Sequence, residues 1–168
     1  MKYFRYFLIG GIALIGLSSS RLGDTKPSEG IYPGDLFADI KNITNVSGTT
    51  VNLSDFKGQR VLVNLWAAYD ASSHCDNVLL ANAIVKNDYP VKMLSLSFDQ
   101  SQSVFERTVT VDELDESSQF LLDESLQIEL SDRFKLKKGF KNFLLDEEGK
   151  IVAIDLSVEK LNQLMTVN

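Results

Sequence analysis

The chain of 168 residues has one cysteine, one histidine, one tryptophan and three prolines, and each scarcity closes off a class of chemistry. With Cys75 alone, no disulfide can form within the chain and no thiolate cage can hold a metal. His74 alone removes most other zinc and acid–base constellations, so neither a metal nor a cofactor is expected. Because it adjoins Cys75, and neighbours at i,i+1 on a helix do not face each other, His74 reads as a surface residue. Basic residues are also few: 17 against 23 acidic ones, a net charge of -6. Lys135, Lys137, Lys138 and Lys141 form the densest basic group and read as a solvated loop or helix end. This balance argues against a nucleic-acid partner. There is no glycine-rich phosphate loop, and no proline follows Pro90.

What is present is ordinary for a globular protein: 44% hydrophobic and 24% charged residues, in a chain long enough for one domain with a core. The amino terminus reads as an address. Met1-Lys-Tyr-Phe-Arg5 is a short basic region, Tyr6 to Leu17 is apolar, and Ser18-Ser-Ser20 suits a signal peptidase. The apolar run is shorter than the ~20 residues of a spanning helix, so a signal peptide over residues 1–20 is expected. An uncleaved N-terminal membrane anchor is the alternative, and contact with a membrane would be through this segment only. No cysteine follows the run, which closes the lipoprotein route. Residues 21–33 read as a linker and residues 34–168 as the folded domain. Asn42, Asn45 and Asn52 each open an Asn-x-Ser/Thr triplet, a glycan acceptor only in a eukaryotic host.

From Gly34 the pattern alternates strands with helices. Thr49 to Leu53 is β-prone and closes in turn residues through Gly58. Arg60 to Trp66 is a nearly continuous apolar run, as expected of a strand covered on both faces. Ala71 to Lys86 has helical character, with Val78, Leu79, Asn82 and Val85 able to share a face. Val91 to Phe98 reads as a second buried strand, Asp99 to Val109 as a helix, and Gln119 to Leu122 as a short strand. Leu126 to Phe134 reads as a short helix. A hairpin over Asn142 to Asp155 turns at Glu147-Glu-Gly149, and Val158, Leu161, Leu164 and Met165 give the apolar face of a closing helix. Strands interleaved with helices and followed by a hairpin predict an α/β fold, a mixed central sheet with helices on both faces.

Three ordered blocks carry a resemblance. They are Val51-Asn-Leu-Ser-Asp-Phe-Lys-Gly58, Val61-Leu-Val-Asn-Leu-Trp-Ala-Ala-Tyr-Asp-Ala-Ser-Ser73, and Phe143-Leu-Leu-Asp-Glu-Glu-Gly-Lys-Ile-Val152. Together they resemble the TlpA/ResA branch of the thioredoxin-like superfamily, which is also similar to AhpC/TSA peroxiredoxin-type domains. The resemblance implies a thioredoxin-like fold from about Gly34 to Leu161. The family's strand ends in a pattern of the form V-N-F-W-A-x-W-C-x-x-C, and its two cysteine positions fall here on Asp70 and Ser73. A dithiol pair needs thiols at both places, the first at a helix start where the dipole favours thiolate. Asp70 is instead a preferred N-cap, whose carboxylate can accept from the N–H of Ser72 or Ser73. The family's cis-proline position falls on Phe140, where an ordinary trans peptide is expected.

The resemblance therefore implies a degenerate redox site at Asp70, Ser73 and Phe140, on which dithiol chemistry is not possible. Trp66, Tyr69, Asp70 and Phe140 form the candidate binding surface, with core packing as the competing role for Trp66. Cys75 is the remaining candidate thiol. Ser72-Ser-His-Cys75 is similar to the peroxidatic T-x-x-C setting without its upstream proline, whereas a free cysteine is more often a small buried hydrophobe. The expected function is a redox-inactive protein- or peptide-binding module, exported to the periplasm or cell envelope of a bacterium. The alternative is an enzyme, a thiol-dependent oxidoreductase or peroxidase working through Cys75.

Overall fold

The structure, a computed structural model, describes residues 28–166. The expected export signal and the first part of the linker lie outside the described residues. Two short strands, β1 (Ile43–Thr44) and β2 (Thr50–Val51), pair antiparallel and lead through a 3-10 turn at Leu53–Phe56 into the main sheet. Five further strands follow: β3 (Arg60–Trp66), β4 (Val91–Ser97), β5 (Gln119–Leu121), β6 (Asn142–Leu145) and β7 (Ile151–Ile154). Their spatial order is β5-β4-β3-β6-β7. β3, β4 and β5 run parallel, and β6 and β7 are antiparallel to their neighbours. Helices α1 (Ala71–Lys86), α2 (Gln102–Val111), α3 (Glu124–Phe134) and α4 (Val158–Thr166) complete the order. β3 sits in the middle because its side chains are apolar on both faces, and Val61 to Trp66 are all buried.

The alternation of β3 sorts the core into layers. Val61, Val63 and Leu65 face a cluster with Leu130 and Phe134 of α3 and with Phe37, Ile40 and Ile43. Leu62 faces Leu80 and Ala83 of α1 and Leu161 of α4. Trp66 packs with Phe105 and Val109 of α2. Helices thus cover both faces, as the strand–helix alternation predicts.

The stretch from Ser28 to Thr50 crosses beneath the sheet as a strap. At one edge Leu36 bridges Lys150, Gly34 N–H donates to Ile151 O at 2.8 Å, and Ile151 N–H donates to Asp35 O at 2.9 Å. At the other edge Asn45 bridges Phe120 of β5, and Val46 N–H donates to Gln119 O at 3.1 Å.

α1 departs from the sequence reading in which face it buries. Its inward residues are Ser73, Asn77, Leu80 and Ala83, while Leu79 and Val85 are 50% and 77% exposed. Leu79, Asn82 and Val85 point outward, and only Val78 of the expected face turns in, half-buried against the cluster of Trp66 and Phe105. The polar inward residues are satisfied by a network across the sheet. Asn77 Oδ1 accepts from Asn64 Nδ2 at 3.1 Å and from Ser95 Oγ at 2.6 Å, and Asn77 Nδ2 donates to Gln119 Oε1 at 3.2 Å.

Candidate functional site

The candidate residues gather where the parallel strands end, the edge at which open α/β sheets present their ligand sites. Three loops meet there: residues 67–70 after β3, residues 98–101 after β4, and residues 139–141 before β6. Main-chain hydrogen bonds tie them together, Phe98 N–H to Trp66 O at 2.8 Å and Leu65 N–H to Lys141 O at 2.9 Å.

Asp70 is the N-cap of α1. Its backbone is extended, and its Oδ1 accepts from Ser73 N–H at 2.8 Å. Hydrogen bonds from Ser73 hold the Asp70 carboxyl below its ordinary value. Ser73 is buried, and its hydroxyl donates to Asp70 O at 3.3 Å while accepting from Ala67 N–H at 3.4 Å. The two positions that the resemblance assigns to the dithiol are therefore joined by a cap.

Tyr69 is 72% exposed, and its ring centroid lies 6.3 Å from that of Phe140. Phe140 in turn lies 5.2 Å from Phe98. Partial burial raises the Tyr69 hydroxyl above its ordinary pKa, helped by the charges of Asp99 and Asp70. The described residues contain no cis peptide bond, so Phe140 has the expected trans linkage.

Trp66 leaves the candidate binding surface and takes the competing role, core packing. It is 0% exposed and lies behind the loop rather than on it, because the alternation of β3 turns its ring toward α2. His74 is likewise not a plain surface residue. Its Nε2 is 2.5 Å from Asp112 Oδ2, and its ring stacks on Trp66 at 5.6 Å, linking the first turn of α1 to the end of α2. Cys75 differs in the opposite sense. It is exposed on the outer face of α1, not buried as a small hydrophobe.

Asp99 was not singled out by the sequence, which places it at the start of a helix. Its carboxylate is buried and accepts from Ala68 N–H at 3.0 and 3.1 Å and from Ser97 Oγ at 2.7 Å. It thereby fixes the loop that presents Tyr69 and Asp70. The available signal is an acidic residue directly after an apolar strand, at the ligand-bearing edge of the sheet. Asp76, in the second turn of α1, has a carboxyl raised by burial and by the charges of Asp155 and Asp70. Asp155 itself pairs with Lys141 at 3.4 Å.

A cavity of about 420 Å³ adjoins the loops, lined among others by Asp99, Gln100, Asp123, Glu124 and Gln127. A second, of about 220 Å³, lies at the foot of the sheet around Leu36, Leu53, Val61 and Glu147 and touches none of the candidate residues. Among the described residues no three His, Cys, Asp or Glu side chains cluster to hold a metal ion. What the loops offer chemically is contact: two aromatic rings, a capped helix start and a carboxylate able to accept further hydrogen bonds.

No family model matches the sequence, and no curated protein matches it. Solved structures do. A thioredoxin-like protein from Parabacteroides distasonis is 38% identical, with a TM-score of 0.71 over 84% of this chain and 100% of that one. The thioredoxin domain of a thiol-disulfide oxidoreductase from Bacteroides vulgatus is 24% identical, with a TM-score of 0.70 over 82% and 99%. StoA from Bacillus subtilis is 18% identical, with a TM-score of 0.61 over 79% and 97%. The last two share the fold. At 38% identity, the first match spans the whole of the relative's length. The chain belongs to the thioredoxin-like family.

Proposed function

We propose that this chain is an exported, redox-silent thioredoxin-like protein whose work is to bind a protein or peptide at the surface of Tyr69, Asp70 and Phe140. The observation that carries this reading is the cap: Asp70 and Ser73 hold each other where a dithiol would stand. An aspartate cannot be oxidised to a disulfide, yet it satisfies the helix start as well as any residue can. The exposed Tyr69 ring beside Phe140 supplies contact area at low conformational cost, as aromatic anchors do in interfaces. The apolar N-terminal run supports export to the periplasm or envelope of a bacterium, with residues 1–20 as the signal.

A second reading, a monothiol oxidoreductase or peroxidase, is favoured by the exposure of Cys75. Insulin-reduction and peroxide-consumption assays on the wild type and Cys75→Ser separate the two. The binding reading expects no turnover above background in either protein. Robust turnover that Cys75→Ser abolishes would establish the enzyme instead.

A further inference from the structure

The cavity of about 420 Å³ between the β4–α2 loop, the end of β5 and the start of α3 carries one sign of charge. Its lining holds three carboxylates, those of Asp99, Asp123 and Glu124, beside Gln100 and Gln127, and no Lys, Arg or His. Asp123 and Glu124 have local reasons to be acidic. The first caps α3, accepting from Leu126 N–H at 2.8 Å, and the second stands in its first turn. Asp99 caps no helix, since Ser101 starts α2. It is 4% exposed, and the donors that orient it, Ala68 N–H and the Ser97 hydroxyl, are neutral. No cation among the described residues lies within ion-pairing distance of it. Buried charges are ordinarily matched by an opposite one. Gln127 adds to the bias: its Nε2 donates to Asp99 O at 3.3 Å and to Leu122 O at 2.9 Å, so its Oε1 is left to accept.

An aromatic ridge joins this cavity to the exposed surface. The ring of Tyr69 lies 6.3 Å from that of Phe140, and Phe140 lies 5.2 Å from Phe98, the residue before Asp99. Partial burial raises the Tyr69 hydroxyl above its ordinary pKa, and the charges of Asp99 and Asp70 raise it further, so the negative field reaches the exposed ring. The lysines nearest in sequence to Phe140 are placed elsewhere. Lys141 pairs with Asp155 at 3.4 Å, and Lys137 and Lys138 stand on the turn before Gly139, outside the lining of the cavity.

We propose, on the strength of the binding reading above, that the bound peptide segment docks through an arginine. Its guanidinium enters the cavity of Asp99, Asp123 and Glu124, and the rest of the segment lies across Phe140 and Tyr69. Arginine suits this lining better than lysine, because its planar fork of donors serves two carboxylates at once and its charge is lightly hydrated.

The test uses protein expressed from the full 168-residue sequence and a positional library of immobilised peptides, each position fixed in turn as one residue type. Retention of the wild type is expected to be strongest where arginine is fixed. For the best such peptide in solution, fluorescence anisotropy is expected to show binding that weakens about tenfold or more when its arginine is replaced by citrulline, which keeps the shape and loses the charge. Glu124→Gln, at an exposed position, and Asp123→Asn, which keeps the cap, are each expected to weaken binding about threefold, with unchanged circular dichroism and a smaller effect at high salt. Retention of peptides without preference for arginine, lost in Tyr69→Ala, overturns the arginine and leaves the binding surface standing. Binding indifferent to citrulline, or to both carboxylate variants, overturns it equally. If no peptide is retained by the wild type above the level of Tyr69→Ala, the surface itself is refuted and the arginine with it.

Discussion

Asp70 shows how one side chain can preserve a fold while changing what the fold offers. An N-cap must accept from a free N–H of the first turn, and Asp, Asn and Ser do so about equally well. Asp70→Asn and Asp70→Ser are therefore expected to leave stability nearly unchanged, while Asp70→Ala should lower it by about 1 kcal/mol in urea unfolding at neutral pH. The two polar variants differ in acid. The folded protein holds the Asp70 carboxyl below its unfolded pKa, through the hydrogen bonds from Ser73. Its contribution is then complete above the ordinary carboxylate range and fades as the pH falls through the lowered folded value. Wild type should accordingly lose stability in that window faster than Asp70→Asn. Equal acid profiles for the two proteins would contradict the capping account. In binding, the carboxylate is tested by the same pair, since Asn keeps the cap and removes the charge.

At the scale of the element, α1 was legible in its ends and illegible in its faces. Asp70 marks its start and the turn at Asn87 its end, and the helix runs over the predicted residues 71–86. The inward stripe could not be read from hydrophobicity because Ser73 and Asn77 occupy it. Only partners brought from β3, β4 and β5 make those positions habitable, and such partners are distant in sequence. α2 begins at Gln102 rather than at Asp99 for a related reason. Asp99 is engaged with Ala68, and Ser101 caps the helix instead, its side chain accepting from Val104 N–H. The network beneath α1 yields its own prediction. Asn77→Ala leaves Asn64, Ser95 and Gln119 with unmet hydrogen-bonding groups in a dry layer, and should cost roughly 3 kcal/mol. Ser95→Ala removes one donor while Asn77 keeps its bond from Asn64, so about 1 kcal/mol is expected. Chemical denaturation of both variants measures the difference, and equal losses would mean that Asn77 is not the hub of the network.

Across the whole molecule, the sheet was the most legible part. Arg60 to Trp66 and Asn142 to Asp155 announce a buried strand and a hairpin by composition alone, and the three ordered blocks point to the thioredoxin-like family. The site was legible where a residue acts locally, as Asp70 does, and where loops converge, as with Tyr69 and Phe140. It was hidden where a residue acts at a distance: Asp99 on Ala68, or His74 on Asp112. The strap beneath the sheet has a consequence for association. Open strand edges are templates onto which another chain can add, and this molecule blunts both of its edges with one stretch of its own backbone, at Lys150–Ile151 and at Phe120. A chain shortened to begin at Phe37 keeps the buried Phe37, Ile40 and Ile43 but uncovers the β7 edge. It should retain native-like circular dichroism yet scatter light increasingly with concentration and time, where the intact chain stays clear. The strap, and the stretch from Gly34 to Leu36 above all, is in this sense a guard against strand-by-strand self-templating.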